Sequence, residues 1–142
     1  MTQIMNKILK ATDGEIYDLF TRSSSSHLVE RHLNKTINDL VNRALTDPNC
    51  GPLASAFTNQ STAIKAIREN LRGNATRIKE WLESSSNVIT ISFDNGYSLG
   101  NGVYKGTSTV VDASKLTKSE LFLVKDATSS TGFNIITGYP TL

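Results

Sequence analysis

A single cysteine, Cys50, is all the thiol chemistry this chain has, so no intrachain disulfide can form and the fold does not depend on an oxidising compartment. It sits in a Pro/Asn/Gly loop, DPNCGP, with no acid–base partner near it in sequence, and it is read as incidental. Histidine is nearly as scarce, with two in 142 residues, and no Cys/His/Asp cluster completes a metal site. No cofactor is expected. Long apolar runs are also missing, which excludes a membrane span. The opening MTQIMNKILK is too short and too polar for a signal peptide, so if the protein acts outside its own cell its export signal is expected elsewhere, with the chain then a fragment of something larger.

Charge is equally undramatic. The net charge is +2, which permits a polyanionic partner without arguing for one. The excess is confined to the first part: before Ser85 there are eleven Lys/Arg against nine Asp/Glu, and afterwards four against four. A hydrophobic content of 38% in a chain of this length suits one folded domain with a modest core.

What is present divides at Ser84–Asn87. The first part has helical periodicity. Ile4, Ile8 and Leu9 suggest a short opening helix. The serines Ser23 to Ser26 offer N-cap side chains for a helix starting near His27, and Val29, Leu33, Ile37, Leu40 and Ala44 fall in one helical stripe. Asn34-Lys35-Thr36 is expected to interrupt it, with Thr36 and Asp39 forming a capping box for a second helix that ends at DPNCGP. Ile64, Ile67, Leu71, Ile78, Trp81 and Leu82 keep helical spacing, with a break predicted at Gly73-Asn74 and Trp81 in the core. The second part alternates. Ile89, Ile91 and Phe93 predict a strand, Asp94-Asn95-Gly96 a hairpin turn, and Asn101-Gly102 a second turn. Further strands are expected at Ser108–Val111, Leu121–Lys125 and Phe133–Tyr139, with Tyr97 and Tyr104 in cross-strand packing. The fold class is α+β, a helical lobe packed with an antiparallel sheet.

Both histidines lie in SSSSHLVERHLNKT, residues 23–36. Five residues apart on a helix they point roughly 140° away from each other, so they cannot share one ion. GNGVYKG lacks P-loop spacing, and no G-x-S-x-G elbow accompanies the serines. An acid–base site around one histidine remains. His32 and Arg43 would lie roughly 16 Å apart along a continuous helix, so they converge only if the break at Asn34–Thr36 is real. In GFNIITGYPTL, period two puts Phe133, Ile135, Thr137 and Tyr139 on one strand face, apolar first and hydroxylated at the end. That suits a strand running from core into cleft. The plainer reading, good strand formers at a sheet surface, is preferred on pattern alone. His27 reads as mainly structural, and Lys35 as a solvated charge or phosphate neighbour.

The order His27…His32-x-x-Lys35-Thr36, then SAFTNQSTAIKAIRENL, RIKEWL and a terminal IITGYP, resembles the bacterial ribonuclease A-like toxin domain. That domain ends contact-dependent growth inhibition toxins and related polymorphic toxins. The likeness covers about residues 23–142 and leaves residues 1–22 as an extension from an upstream region. The family opens Gly-Gly-His where this chain has Ser25-Ser26-His27, and has Val-Gly-Lys-Thr where this chain has Leu33-Asn34-Lys35-Thr36. The resemblance implies a two-lobed, kidney-shaped α+β fold without disulfides, and a catalytic set of His32, Arg43, Thr137 and Tyr139, with Lys35 a substrate contact. It implies metal-independent cleavage of RNA to a 2′,3′-cyclic phosphate and a 5′-OH, with the second acid–base group open. It also implies a monomer delivered at the end of a larger secreted or cell-surface toxin, acting in the target-cell cytoplasm and neutralised by an immunity protein over the cleft. The alternative from another class is a module that binds RNA or protein without cutting.

Overall fold

The computed structural model describes residues 2–142. Helices α1 (Thr2–Leu9), α2 (Asp13–Thr21), α3 (Leu28–His32) and α4 (Ile37–Thr46) precede strand β1 (Leu53–Phe57). Helices α5 (Gln60–Gly73) and α6 (Ala75–Glu83) follow, then β2 (Val88–Asp94), β3 (Gly100–Tyr104), a 3₁₀ turn at Ala113–Lys115, β4 (Lys118–Lys125) and β5 (Phe133–Thr141). The class is α+β, but the strands form two antiparallel sheets: β1 with β3, and β2–β4–β5 with β4 central.

The main core lies between the three-stranded sheet and helices α1, α2, α5 and α6. It contains Ile8, Ile16, Phe20, Ile67, Ile78 and Trp81 against Ile91, Leu121, Leu123 and Ile135. A second cluster, Leu40 and Ala44 of α4 with Ala54, Ala56 and Val103, packs α4 on the small sheet. The Ser55 hydroxyl joins the two units by donating to the Pro140 carbonyl at 2.7 Å.

Local chemistry explains the helix boundaries. Thr36 and Asp39 form the expected capping box. Just before it, Leu33 is extended and Asn34 has φ +55°, a left-handed conformation that asparagine tolerates better than most residues. The helix therefore breaks there, and the continuous stripe is lost: Leu33, Leu40 and Ala44 are buried while Val29 and Ile37 are exposed. Asn74 separates α5 from α6, its amide donating to Asn70 and to the Ser92 carbonyl. The serines do not cap α3. Ser26 instead donates to the Phe20 and Ile135 carbonyls, and the α3 N-cap, His27, makes no side-chain cap bond.

The second half departs further from expectation. Asp94-Asn95-Gly96 is a tight turn, with Gly96 at φ +80° and its N–H donating to Asp94, but the chain then leaves for the other sheet, so β2 and β3 form no hairpin. Asn101-Gly102 is strand, not turn. Glycine is needed in β3 for close approach, because a Cβ at Gly100 would sit 1.9 Å from the Ala56 carbonyl oxygen. Ser108–Val111 forms no strand, only an isolated bridge between Val110 and Val103. Tyr97 lies outside the strands, donating to Glu69 under the Lys65 ammonium; Tyr104 stands opposite Leu53 across the small sheet.

One irregularity positions everything that follows. In the β4–β5 ladder Leu123 pairs with Ile135 but Phe122 pairs with Thr137, so Ile136 is an extra residue, a β-bulge. Cross-strand partners share a face. Ile135 is therefore on the core face with Leu123, whereas Thr137 and Tyr139 share the opposite face with Phe122 and Glu120. The expected single face from Phe133 to Tyr139 is thus wrong, because the bulge shifts the phase by one residue.

Candidate active site

The bulge has a second effect. The Ile136 carbonyl accepts the His27 N–H at 2.7 Å, which docks the start of α3 against β5. One short helix later, His32 is buried and turned toward the small sheet, where its Nδ1 lies 2.7 Å from the Ser55 carbonyl oxygen. A carbonyl only accepts, so Nδ1 carries the proton and Nε2 keeps its lone pair. Burial pulls the imidazole pKa down to about 4; the Ser55 bond opposes this, and Arg43, Arg31 and His27 reinforce it.

His32 lines a cavity of about 350 Å³ between the two packed units. Arg43 reaches the same cavity because the Asn34 break folds α4 back, and its Nη1 donates to the Arg31 carbonyl at 2.9 Å. Burial lowers the Arg43 pKa, with Cys50 and Asp47 opposing, but a guanidinium keeps its charge in proteins. Thr137 and Tyr139 complete the wall from β5, the Tyr139 ring 5.2 Å from that of His32. The four residues singled out in the sequence therefore share one cavity.

Two atoms there are incomplete. Arg43 Nε and Thr137 Oγ1 are buried without a hydrogen-bond partner among the described residues. Leaving such a group unsatisfied costs about 1–3 kcal/mol, a cost that a polar ligand would relieve.

Lys35 is not part of this cavity. It lines a neighbouring depression with Glu30, Arg31, Asp39 and Arg43. His27 does not line the cavity either; it is half-exposed, its Nδ1 3.5 Å from Glu30. The wall also contains Arg31, Leu53, Phe122 and Glu120, none of which the sequence pattern marks as a site residue. Glu120 accepts the Tyr139 hydroxyl at 3.0 Å, and burial together with that carboxylate pushes the phenol pKa above its ordinary range. Only the β4–β5 register could have revealed it. Cys50 lies in the wall as well, its thiol directed at the Gly51 carbonyl. Among the described residues no cluster of three or more His, Cys, Asp or Glu is placed to hold a metal, and no helix is long and apolar enough to cross a membrane.

Comparison with known proteins bears on what this cavity is for. The family described as the bacterial CdiA-CT RNAse A domain matches residues 26–140. The crystal structure of a CdiA-CT/CdiI complex from Y. kristensenii 33638 superposes with a TM-score of 0.72 at 30% identity, covering 82% of this chain and 100% of that one. A comparison with curated proteins gave no match. The family match takes in His32, Arg43, Thr137 and Tyr139 alike, and the chain belongs to the bacterial CdiA-CT RNAse A domains, the RNase A-like endoribonuclease toxins of contact-dependent growth inhibition.

Proposed function

We propose that the cavity cleaves RNA without a metal ion, by attack of a ribose 2′-OH on the adjacent phosphate, leaving a 2′,3′-cyclic phosphate and a 5′-OH. The observation that carries this is the fixed tautomer of His32. Its Nδ1 proton is held by the Ser55 carbonyl, and its Nε2 lone pair is left in a cavity shared with an arginine. Because burial keeps the ring neutral at pH 7, Nε2 can take the 2′-OH proton as general base. Arg43 supplies a permanent charge on the cavity wall, which suits the phosphorane oxygens as charge accumulates on them. The orphan Thr137 hydroxyl is a partner for a phosphate oxygen or a base edge. Lys35, in the adjoining depression, would meet a neighbouring phosphate rather than the reacting one, and Arg31 lines both the depression and the cavity.

The Y. kristensenii structure contains CdiI. By analogy a cognate immunity protein covers this cavity, and the arginines on its wall call for an acidic surface on that partner. Residues 23–142 act as the toxin domain, a monomer delivered as the end of a larger toxin and working in the target-cell cytoplasm. Residues 1–22 belong to the upstream part, docked through Ile8, Ile16, Leu19 and Phe20.

The test is digestion of RNA by the pure protein in EDTA with analysis of the ends. Cyclic phosphate and 5′-OH ends are expected from the wild type, and none from a folded His32→Ala variant. Cleavage in EDTA that survives His32→Ala would remove His32 from the mechanism, and cleavage abolished by EDTA would remove the metal-free chemistry.

A further inference from the structure

Phe20, Phe57 and Phe133 are all buried, as core packing requires, but Phe122 keeps 36% of its surface open. It is an exposed aromatic ring on the wall of the cavity that His32 and Arg43 line. The register sets its position. Phe122 stands in the central strand β4, between Thr90 of β2 and Thr137 of β5, on the sheet face turned away from the main core. Both flanking side chains are short, so the ring stands above them. Its aromatic neighbour is Tyr139, with centroids 6.3 Å apart and planes tilted by 39°. That pairing supports the ring without burying it.

We propose that Phe122 is the stacking platform for the nucleobase on the 3′ side of the cleaved bond, the base of the leaving nucleoside. This rests on the cleavage chemistry proposed above. The direction of the reaction assigns the side. Strand β5 packs against α3 and β1, and it pairs with β4 along its other edge. His32 comes from α3, so Phe122 lies one strand farther from it than Thr137 and Tyr139 do. An in-line displacement puts the attacking and leaving oxygens on opposite sides of phosphorus. With the 2′-OH at His32 Nε2 and the phosphate at Arg43 and Thr137, the leaving 5′-oxygen points toward β4. Thr137 is the direct cross-strand partner of Phe122, and such partners have Cβ atoms about 5 Å apart. A nucleoside departing from a phosphate at Thr137 therefore has its base within reach of the ring.

The charges on the wall agree with this division. Arg31, Arg43 and Lys35 come from α3, α4 and the turn between them. On β4 the charged wall residue is Glu120, two residues from Phe122 on the same face. A carboxylate repels a phosphate there but not an uncharged base. The face of a phenyl ring carries no donor or acceptor, so it demands a base without choosing among the four. Stacking on this side holds the P–O5′ bond in line with the attacking oxygen, which makes Phe122 a substrate-positioning residue.

Removing one base at a time separates this role from a structural one. Cleavage is measured on a ribodinucleotide and on two relatives in which hydrogen replaces a base, either on the leaving 3′ nucleoside or on the 5′ nucleoside that bears the 2′-OH. Phe122→Ala is expected to lower kcat/KM by about tenfold or more on the dinucleotide and on the substrate lacking the 5′ base. Without the 3′ base, the wild type itself should fall by a similar factor, and Phe122→Ala should then lie within about threefold of it. Phe122→Trp, which keeps a flat aromatic face, should cut the dinucleotide as the wild type does. An equal loss for Phe122→Ala on all three substrates makes the ring a structural support and overturns the proposal. No loss on the dinucleotide, or a loss that disappears with the 5′ base instead, overturns it as well. A wild type that cuts none of the substrates overturns the cleavage chemistry itself. Phe122→Leu keeps an apolar side chain in the strand, so it reads the same contact where Phe122→Ala disturbs the sheet.

Discussion

The imidazole Nδ1 of His32 sits 2.7 Å from the Ser55 carbonyl, joining the last residue of α3 to the middle of β1. Both ends of this bond are set by packing rather than by side-chain choice. His32 is carried there by the docking of α3 on β5, and Ser55 is held by its own bond to Pro140. A main-chain acceptor cannot be mutated away, so the tautomer belongs to the fold.

This burial makes stability depend on pH. The folded pKa is about 4 against an ordinary value near 6.5, so the unfolded chain takes up the proton first as pH falls. His32 therefore contributes nothing adverse above about pH 6.5, and stability declines as pH drops from there to about 4, by about 3 kcal/mol in all. Urea unfolding at several pH values should show this decline in wild type, and a shallower one in His32→Gln. Parallel curves would mean that the ring is not buried neutral.

Arg43 is expected to be irreplaceable by lysine. Lysine keeps the charge but loses the planar fork, including the Nη1 bond to Arg31 and the Nε that faces Asp47 at 3.8 Å. Arg43→Lys should lower kcat/KM about tenfold to a hundredfold, the equivalent of a hydrogen bond to a charged group, about 1.5–3 kcal/mol. Thermal unfolding should be close to wild type, and full activity in the variant would show that charge alone suffices.

Gly138 separates the two hydroxyl residues of β5. A Cβ there would meet Leu121 Cδ2 at 2.5 Å and the Glu120 carbonyl oxygen at 3.3 Å. Gly138→Ala should cost about 1–3 kcal/mol of stability as an overpacked site. It should also lower activity beyond that, because Thr137 and Tyr139 move with the strand. A melting curve and an RNA cleavage rate on the same sample give both readings.

The turn at Asn34 offers a contrast between two substitutions. With φ at +55°, Asn34→Gly should be close to neutral, and Asn34→Val should destabilise by about 1–2 kcal/mol and slow cleavage as α4 shifts Arg43. Equal behaviour of the two in denaturant melts would show that the left-handed turn carries no strain.

The residues whose roles depend on local chemistry were readable in advance. Thr36 and Asp39 cap a helix wherever they occur in that spacing, Asn34 marks a break because asparagine tolerates a left-handed backbone, and Asn74 because its amide competes for backbone groups. The Thr12/Glu15 capping box that starts α2 carried the same signal and was overlooked. β1 was hidden for a different reason. All five residues of LASAF are buried, so neither helical spacing nor alternation marks it. Asn95-Gly96 turned as its sequence demands, yet where the chain went next depended on the Asn95 amide, which donates to Ala66 and Glu69 of α5.

By itself, then, the sequence determined the α+β class and the helix break that lets Arg43 reach the cavity that His32 lines. Those are short-range matters, settled by backbone preferences within a few residues. Tertiary structure alone decided that the strands would form two sheets and that Ile136 would bulge. It also decided that Thr137 and Tyr139 would turn away from Phe133 and Ile135 to face a cavity beside Glu120. A register shift of one residue reverses which face of a strand is buried, and that shift is fixed by the packing of β5 against β4 and α3, which no local pattern encodes.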